Sequence, residues 1–259
     1  MLKKLIAVNL DNESREMFDL TEFSESEVRA LLNESAGGKL FVFLSEQRNE
    51  KAVILCPGGG FKQVNMQHEG FDYAKWFADQ NITLAVLKYN LPEGHKKSPV
   101  TDIASACRVM RAGIENEKYE KLGCMGTSIG GYMAAYAAVN GLVDFQILMY
   151  SVVSMEDSLT HKPSRLRMFG SDPFPEEAKA WSLQYRVDEN TVPAFIVASE
   201  DDPAVMPENS LIYASALMKN KIPFSLHIYP SGGHSFGFKD DYPYKNAYLS
   251  ELRQWLCNR

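Results

Sequence analysis

Lys121-Leu122-Gly123-Cys124-Met125-Gly126-Thr127-Ser128-Ile129-Gly130-Gly131-Tyr132-Met133-Ala134-Ala135 reads as a strand, a tight turn and a helix in one short stretch. Gly126-Thr127-Ser128-Ile129-Gly130 at its centre fits G-x-S-x-G, the pattern that lifts a serine out of a strand-to-helix turn. The glycines meet a steric need, because a side chain at either flank would strike neighbouring backbone. Outward from this turn the chain keeps a rhythm. Short apolar runs at residues 40–44, 52–56, 82–86, 121–125, 145–150, 194–198 and 224–229 read as strands. Between them, residues 70–79, 100–114, 130–139, 210–218 and 248–256 carry apolar residues at helical spacing. Ile103, Ala106, Cys107, Met110 and Ile114 form one such stripe. Strands alternating with helices of this length predict an α/β protein with a mostly parallel sheet. The near-continuous apolar strands predict helices on both faces of that sheet.

The chain of 259 residues is 45% hydrophobic and 11% aromatic, which places it among globular proteins and reads as a single domain. A formal charge of −6 argues against a nucleic-acid partner, whose binder normally carries a basic face. The pairs Lys3-Lys4 and Lys96-Lys97 read as solvated surface. Apolar runs such as Leu5-Ile6-Ala7-Val8 are far shorter than the ~20 residues that span a bilayer. That run stops at Asn9, short of a secretory apolar segment. Cys56, Cys107, Cys124 and Cys257 form no C-x-x-C pair and read as free thiols of a cytoplasmic protein. Residues 1–38 are the least legible, an N-terminal extension in which Ser24 and Glu27 predict a capping box before a short helix. Residues 151–192 break the rhythm and read as a small cap over the C-terminal edge of the sheet, or else as a surface excursion.

A serine hydroxyl needs a base. His234, in Ser231-Gly232-Gly233-His234-Ser235-Phe236, sits in a flexible loop after a strand and can swing an imidazole over the sheet edge. His68, His95, His161 and His227 read as surface or packed histidines, and no spacing suggests a metal site. Glu200, Asp201 and Asp202 follow the strand at 194–198 and offer the carboxylate that orients the base. Ser128, Asp202 and His234 then stand in the serine–acid–histidine order of the α/β-hydrolase fold. Pro57-Gly58-Gly59-Gly60-Phe61 follows another strand, and bare glycine backbone there can bring N–H donors to a developing oxyanion. The expected donors are the amide of Gly59 or Gly60 and that of Ile129. Neither a P-loop nor a dinucleotide loop fits, because Gly60-Phe61-Lys62-Gln63 supplies neither Gly-Lys-Ser nor the third glycine.

Together, residues 57–61, Val86-Leu87-Lys88-Tyr89-Asn90-Leu91-Pro92, residues 126–131, Asp201-Asp202-Pro203-Ala204-Val205 and residues 232–236 resemble a known family. It is the acetyl esterase and acetyl-xylan-esterase-like carboxylesterases of the α/β-hydrolase fold, relatives of the prolyl-oligopeptidase-type hydrolases. The resemblance covers about residues 50–240. It implies hydrolysis of short acyl esters, often acetyl groups on sugars, without cofactor. It also implies Asp202 over Asp201 as the acid, counting from the strand end at Ala198 and back from Ser210. The sequence departs from the family at Pro57, where relatives carry His, at Ala198, and at Thr127 and Ile129 beside the serine. The expected substrate is a small acyl ester, such as an acetylated oligosaccharide, hydrolysed by a chain that acts alone or as a homo-oligomer. A peptidase or arylformamidase-like hydrolase with the same triad is the alternative enzyme, and a binding protein on the same fold is the non-enzymatic one. Phe61 and Ile129, read as bulk beside the oxyanion site, predict a short acyl pocket.

Overall fold

The computed structural model describes residues 2–20, 24–45 and 50–259, with the side chains of Lys3 and Ser45 outside the description. The expected surface position of Lys3 therefore lies outside the described residues, while Lys4 is exposed. Strands β1 (Leu2–Asn9) and β2 (Arg15–Asp19) open the chain, followed by helix α1 (Glu25–Glu34). Ser24 and Glu27 make the reciprocal capping box ahead of α1, a feature worth about 1 kcal/mol. Next come β3 (Lys39–Ser45), β4 (Lys51–Cys56), a π-turn at Gln67–Phe71, α2 (Tyr73–Asp79), β5 (Thr83–Lys88) and α3 (Ser98–Ala112). The chain continues through β6 (Lys121–Thr127), α4 (Ile129–Val139) and β7 (Phe145–Met149). Residues 151–192 hold α5 (Lys162–Phe169), α6 (Pro175–Ala180) and a short 3-10 turn. β8 (Ala194–Ser199), α7 (Glu208–Lys219), β9 (Phe224–Tyr229) and α8 (Lys245–Cys257) close it.

The nine strands among the described residues form one sheet in the order β2-β1-β3-β5-β4-β6-β7-β8-β9. From β5 to β9 every neighbour is parallel, and β1, β2 and β3 add an antiparallel edge. The alternation of strand residues builds two cores. Ile54, Cys56, Ala85 and Cys124 pack with α3, α4 and α7, represented by Ile103, Met110, Tyr132 and Leu217. Val53, Leu55, Val86 and Met125 face the other way, onto Val28 of α1, Phe77 of α2 and Leu252 of α8. Helices therefore cover both faces, as a parallel sheet of apolar strands requires. Leu5, Ile6 and Val8 are fully buried because β1 pairs on both sides, so the short apolar run of the extension is a strand of the main sheet. Cys56, Cys107 and Cys124 are buried free thiols and Cys257 is an exposed one.

The chain direction along the sheet reverses at β4, whose neighbours β5 and β6 both follow it in sequence. The C-terminal ends of β4 and β6 thus flank a crevice of the kind in which open parallel sheets hold ligands. The glycine loop leaves β4 there and Ser128 leaves β6 there.

Candidate active site

Ser128 sits between β6 and α4 with φ 53° and ψ −122°, a left-handed conformation that costs a non-glycine residue about 1–3 kcal/mol. Three backbone bonds over-determine it. Its amide donates to Met149 O at 2.9 Å, and its carbonyl accepts from Gly131 N at 3.0 Å and Val152 N at 3.1 Å. The flanking glycines are needed as expected. A Cβ on Gly126 would lie 2.2 Å from Gly130 O, and one on Gly130 would lie 2.0 Å from Cys56 O.

The Ser128 Oγ lies 2.8 Å from His234 Nε2, and His234 Nδ1 lies 2.7 Å from Asp202 Oδ2. A carboxylate only accepts, so Nδ1–H donates to Asp202, and Nε2 is left to accept the serine proton. The Asp202 side chain is 1% exposed, and its other oxygen accepts from the amides of Ala204 and Val205 at 2.9 Å each. Asp201 does not reach the imidazole. Its carboxylate instead accepts from the amides of Gly232 and Gly233, at 3.2 and 2.8 Å, in the histidine loop.

The glycine loop packs directly on the serine turn. The buried Gly58 amide donates to Thr127 Oγ1 at 2.8 Å, so Thr127 ties the loop to the turn. Gly59 and Gly60 follow with φ of +124° and +63°, open to glycine and strained for other residues. Arg167 of α5 donates from Nη1 to Gly60 O at 2.9 Å. Among the described residues the amides of Gly59, Gly60 and Ile129 have no acceptor. These free donors border the serine, which is the arrangement that can receive negative charge on a carbonyl oxygen.

A cleft of about 400 Å³ opens over Ser128 and His234 between Gly59, Gly60 and residues of the 151–192 segment. His161 and Arg167 line it from that segment, and Glu69 from the π-turn. Burial, with the nearby His234 and Arg167 adding to it and Asp202 opposing, holds the His161 imidazole below its usual range. His161 Nδ1 lies 2.7 Å from Ser164 Oγ. Sequence reasoning set His161 aside because a lone histidine before a helix carries no pattern. It also passed over Glu69, which is fully buried and takes hydrogen bonds from Tyr150 Oη at 2.8 Å, Ser235 Oγ at 3.0 Å and Asn65 Nδ2 at 2.8 Å. Burial first, and then the Glu69 carboxylate beside it, push the Tyr150 phenol far above its ordinary value, so it stays a donor. One expectation is corrected. Phe61 and Ile129 do not wall the cleft: Phe61 is 2% exposed and packs edge-on to Tyr89, and Ile129 is fully buried in the α3–α4 core. Their side chains point away because the loop and the start of α4 present only backbone to the site.

Comparison with known proteins agrees with this frame. The prolyl oligopeptidase family matches residues 90–258. An acetylxylan esterase of Xylanibacter ruminicola is 32% identical over 252 residues, covering 93% of this chain and 52% of that protein. The endo-1,4-β-xylanase B of Butyrivibrio fibrisolvens is 31% identical over 78% of this chain and 35% of its own length. The chain thus spans about half the length, or less, of the curated relatives it matches. Among solved structures, an acetyl ester-xyloside bifunctional hydrolase from Caldicellulosiruptor lactoaceticus superposes with a TM-score of 0.81 at 26% identity, covering 97% of this chain and 95% of that one. A carboxylesterase of Lactobacillus plantarum shares the fold with a TM-score of 0.70 at 20% identity, over 84% and 90% of the two chains.

Proposed function

The chain belongs to the prolyl oligopeptidase family, and from that premise we propose that it is a serine carboxylesterase that removes short acyl groups, chiefly acetyl, from acetylated sugars. The observation that carries this reading is the unbroken relay from Ser128 Oγ through His234 to Asp202, with contacts of 2.8 and 2.7 Å. Ser128 attacks the ester carbonyl as its proton passes to His234 Nε2. The tetrahedral oxyanion is held by the amides of Ile129 and of Gly59 or Gly60. His234 then gives the proton to the departing sugar hydroxyl, leaving an acyl-serine. Water, deprotonated by the same imidazole, releases acetate and restores the serine. Asp202 holds the imidazole in the tautomer that accepts. No step calls for a cofactor. We read residues 1–259 as one domain, with 151–192 as its cap. The similarity to an acetylxylan esterase and to an acetyl ester-xyloside hydrolase supports the sugar as leaving group, and the Lys62, Gln63, His161 and Arg167 side chains that line the cleft suit it.

The test is acetate release from acetylated xylo-oligosaccharides, set beside p-nitrophenyl acetate and aminoacyl p-nitroanilides. Ser128→Ala should abolish turnover, a loss on the order of 10⁶ in kcat, in a protein that still folds. A fluorophosphonate should label the wild type at Ser128. Turnover of the anilides without release of acetate would replace the esterase reading with a peptidase one, and label on another serine would remove Ser128 as nucleophile.

A further inference from the structure

The geometry points to Glu69 as a positioning residue that holds the histidine loop and the oxyanion loop to one another across Ser128. The proposal deepens the esterase reading and rests on Ser128 and His234 acting as nucleophile and base. Glu69 is 0% exposed and, among the described residues, makes no ion pair, yet three donors converge on its carboxylate. Second contacts fix the direction of two of these donors and are compatible with that of the third. Tyr150 Oη accepts from Gly237 N at 3.0 Å, so its own hydrogen goes to Glu69 Oε1. Asn65 Oδ1 accepts from Gln63 Nε2 at 2.8 Å, which turns its amide nitrogen toward Glu69 Oε2. Ser235 Oγ lies 3.2 Å from His68 Nε2, which can donate to it while the serine donates to Glu69 Oε1.

These three donors come from three parts of the machinery. Ser235 is the chain neighbour of His234, and Gly237, held through Tyr150, belongs to the same loop. The Tyr150 ring itself stands edge-on to the His234 imidazole with centroids 5.0 Å apart. Asn65 belongs to the oxyanion side, where its amide donates to Gly58 O at 3.0 Å. Gly58 packs so closely that a Cβ there would lie 2.8 Å from Glu69 Oε2 and 3.0 Å from Ser128 Cβ. One buried carboxylate therefore sets the distance between the imidazole and the Gly59–Gly60 amides. Hydrogen bonds to an ionised acceptor are about twice as strong as neutral ones, and a small displacement of aligned catalytic groups is costly in rate. No neutral side chain of this size can accept from all three donors with the same strength.

Glu69→Gln keeps the volume, removes the charge and sets an amide against an amide at Asn65. A role in filling space would survive it. Under the proposal kcat for p-nitrophenyl acetate falls by more than tenfold while KM stays within threefold. The rate of fluorophosphonate labelling of Ser128 falls in parallel, since labelling needs the activated serine and no sugar. The loss should also be shared with Ser235→Ala: the double variant should be slower than Glu69→Gln by less than the factor that Ser235→Ala costs alone. If Glu69→Gln does not fold, the pair Tyr150→Phe and Ser235→Ala, which strips two donors and leaves the carboxylate, should give the same split between kcat and KM. Labelling of Glu69→Gln, or of that pair, within twofold of wild type overturns the proposal and leaves the nucleophile assignment intact. A wild type that is not labelled at all removes the assignment on which it rests.

Discussion

Two adjacent aspartates make different contacts with the histidine loop. Asp202 is buried against His234, whereas Asp201 is exposed and clasps the backbone of the loop that carries His234. Asp202→Asn keeps the shape but lets the imidazole take the wrong tautomer, so kcat should fall on the order of 10³–10⁴ while the fold persists. Asp201→Asn weakens two hydrogen bonds at an exposed site, each worth about 0.5–1.5 kcal/mol, and should cost less than about tenfold. Stopped assays of the two variants with p-nitrophenyl acetate decide it, and the opposite order would shift the assigned acid by one residue. The meeting of Ser128 with His234 was legible because glycine-rich punctuation marks both loops. The contact of Asp202 with that imidazole was legible because a strand end and a helix start bracket the residue. Glu69, Tyr150 and His161 were not, because each enters the site through long-range contacts that no local pattern encodes.

At the scale of elements, the serine turn and the glycine loop behave as one piece. Thr127→Val removes the acceptor of a buried Gly58 amide, which then goes unpaired at a cost of about 1–3 kcal/mol. The loop amides should shift with it, lowering kcat by about tenfold or more with KM little changed. A melting curve and a kcat/KM split check both parts, and a Val variant with wild-type kcat would show that the loop is held without Thr127. The helical segment at Lys162–Phe169 closes one side of the cleft with His161 and Arg167, and Lys62 and Gln63 line it from the glycine-loop side. Polar walls on both sides give no apolar tunnel for a long acyl chain. Acetyl and propionyl esters should be the best substrates and esters beyond about C6 poor ones, so octanoate hydrolysed faster than acetate would reject this. That expectation now stands on the cleft lining, since Phe61 and Ile129 lie in the core. Most element bounds were readable to within two or three residues because parallel strands are continuous apolar runs. β1 was missed as a strand because Leu5-Ile6-Ala7-Val8 lies before the alternation begins, and of its two pairing partners, β2 and β3, the one that joins it to the main sheet, β3, is distant in sequence.

At the scale of the whole molecule, partly buried histidines whose charged form is penalised bear on its behaviour in acid. Burial holds the imidazoles of both His161 and His227 below their usual range. His234 and Arg167 add to the effect at His161 against Asp202, and Glu251 opposes it at His227. The buried Nε2 of His227 has no hydrogen-bond partner, so a proton there would be an unsatisfied donor carrying charge. In the unfolded chain both histidines titrate near the reference of about 6.5. A group whose folded pKa lies below its unfolded one binds more protons when unfolded. Stability is therefore full above about pH 6.5 and falls as pH drops from there toward the lower folded values. Asp102 acts with the opposite sign, because burial raises its carboxyl against the opposing hydrogen bond from Asn90 N. The melting temperature should accordingly decline between pH 7 and pH 5. The variant carrying His161→Gln and His227→Gln should lose much of that slope, since neither amide can be protonated. A double variant that declines as steeply as the wild type would show that other groups drive the acid transition.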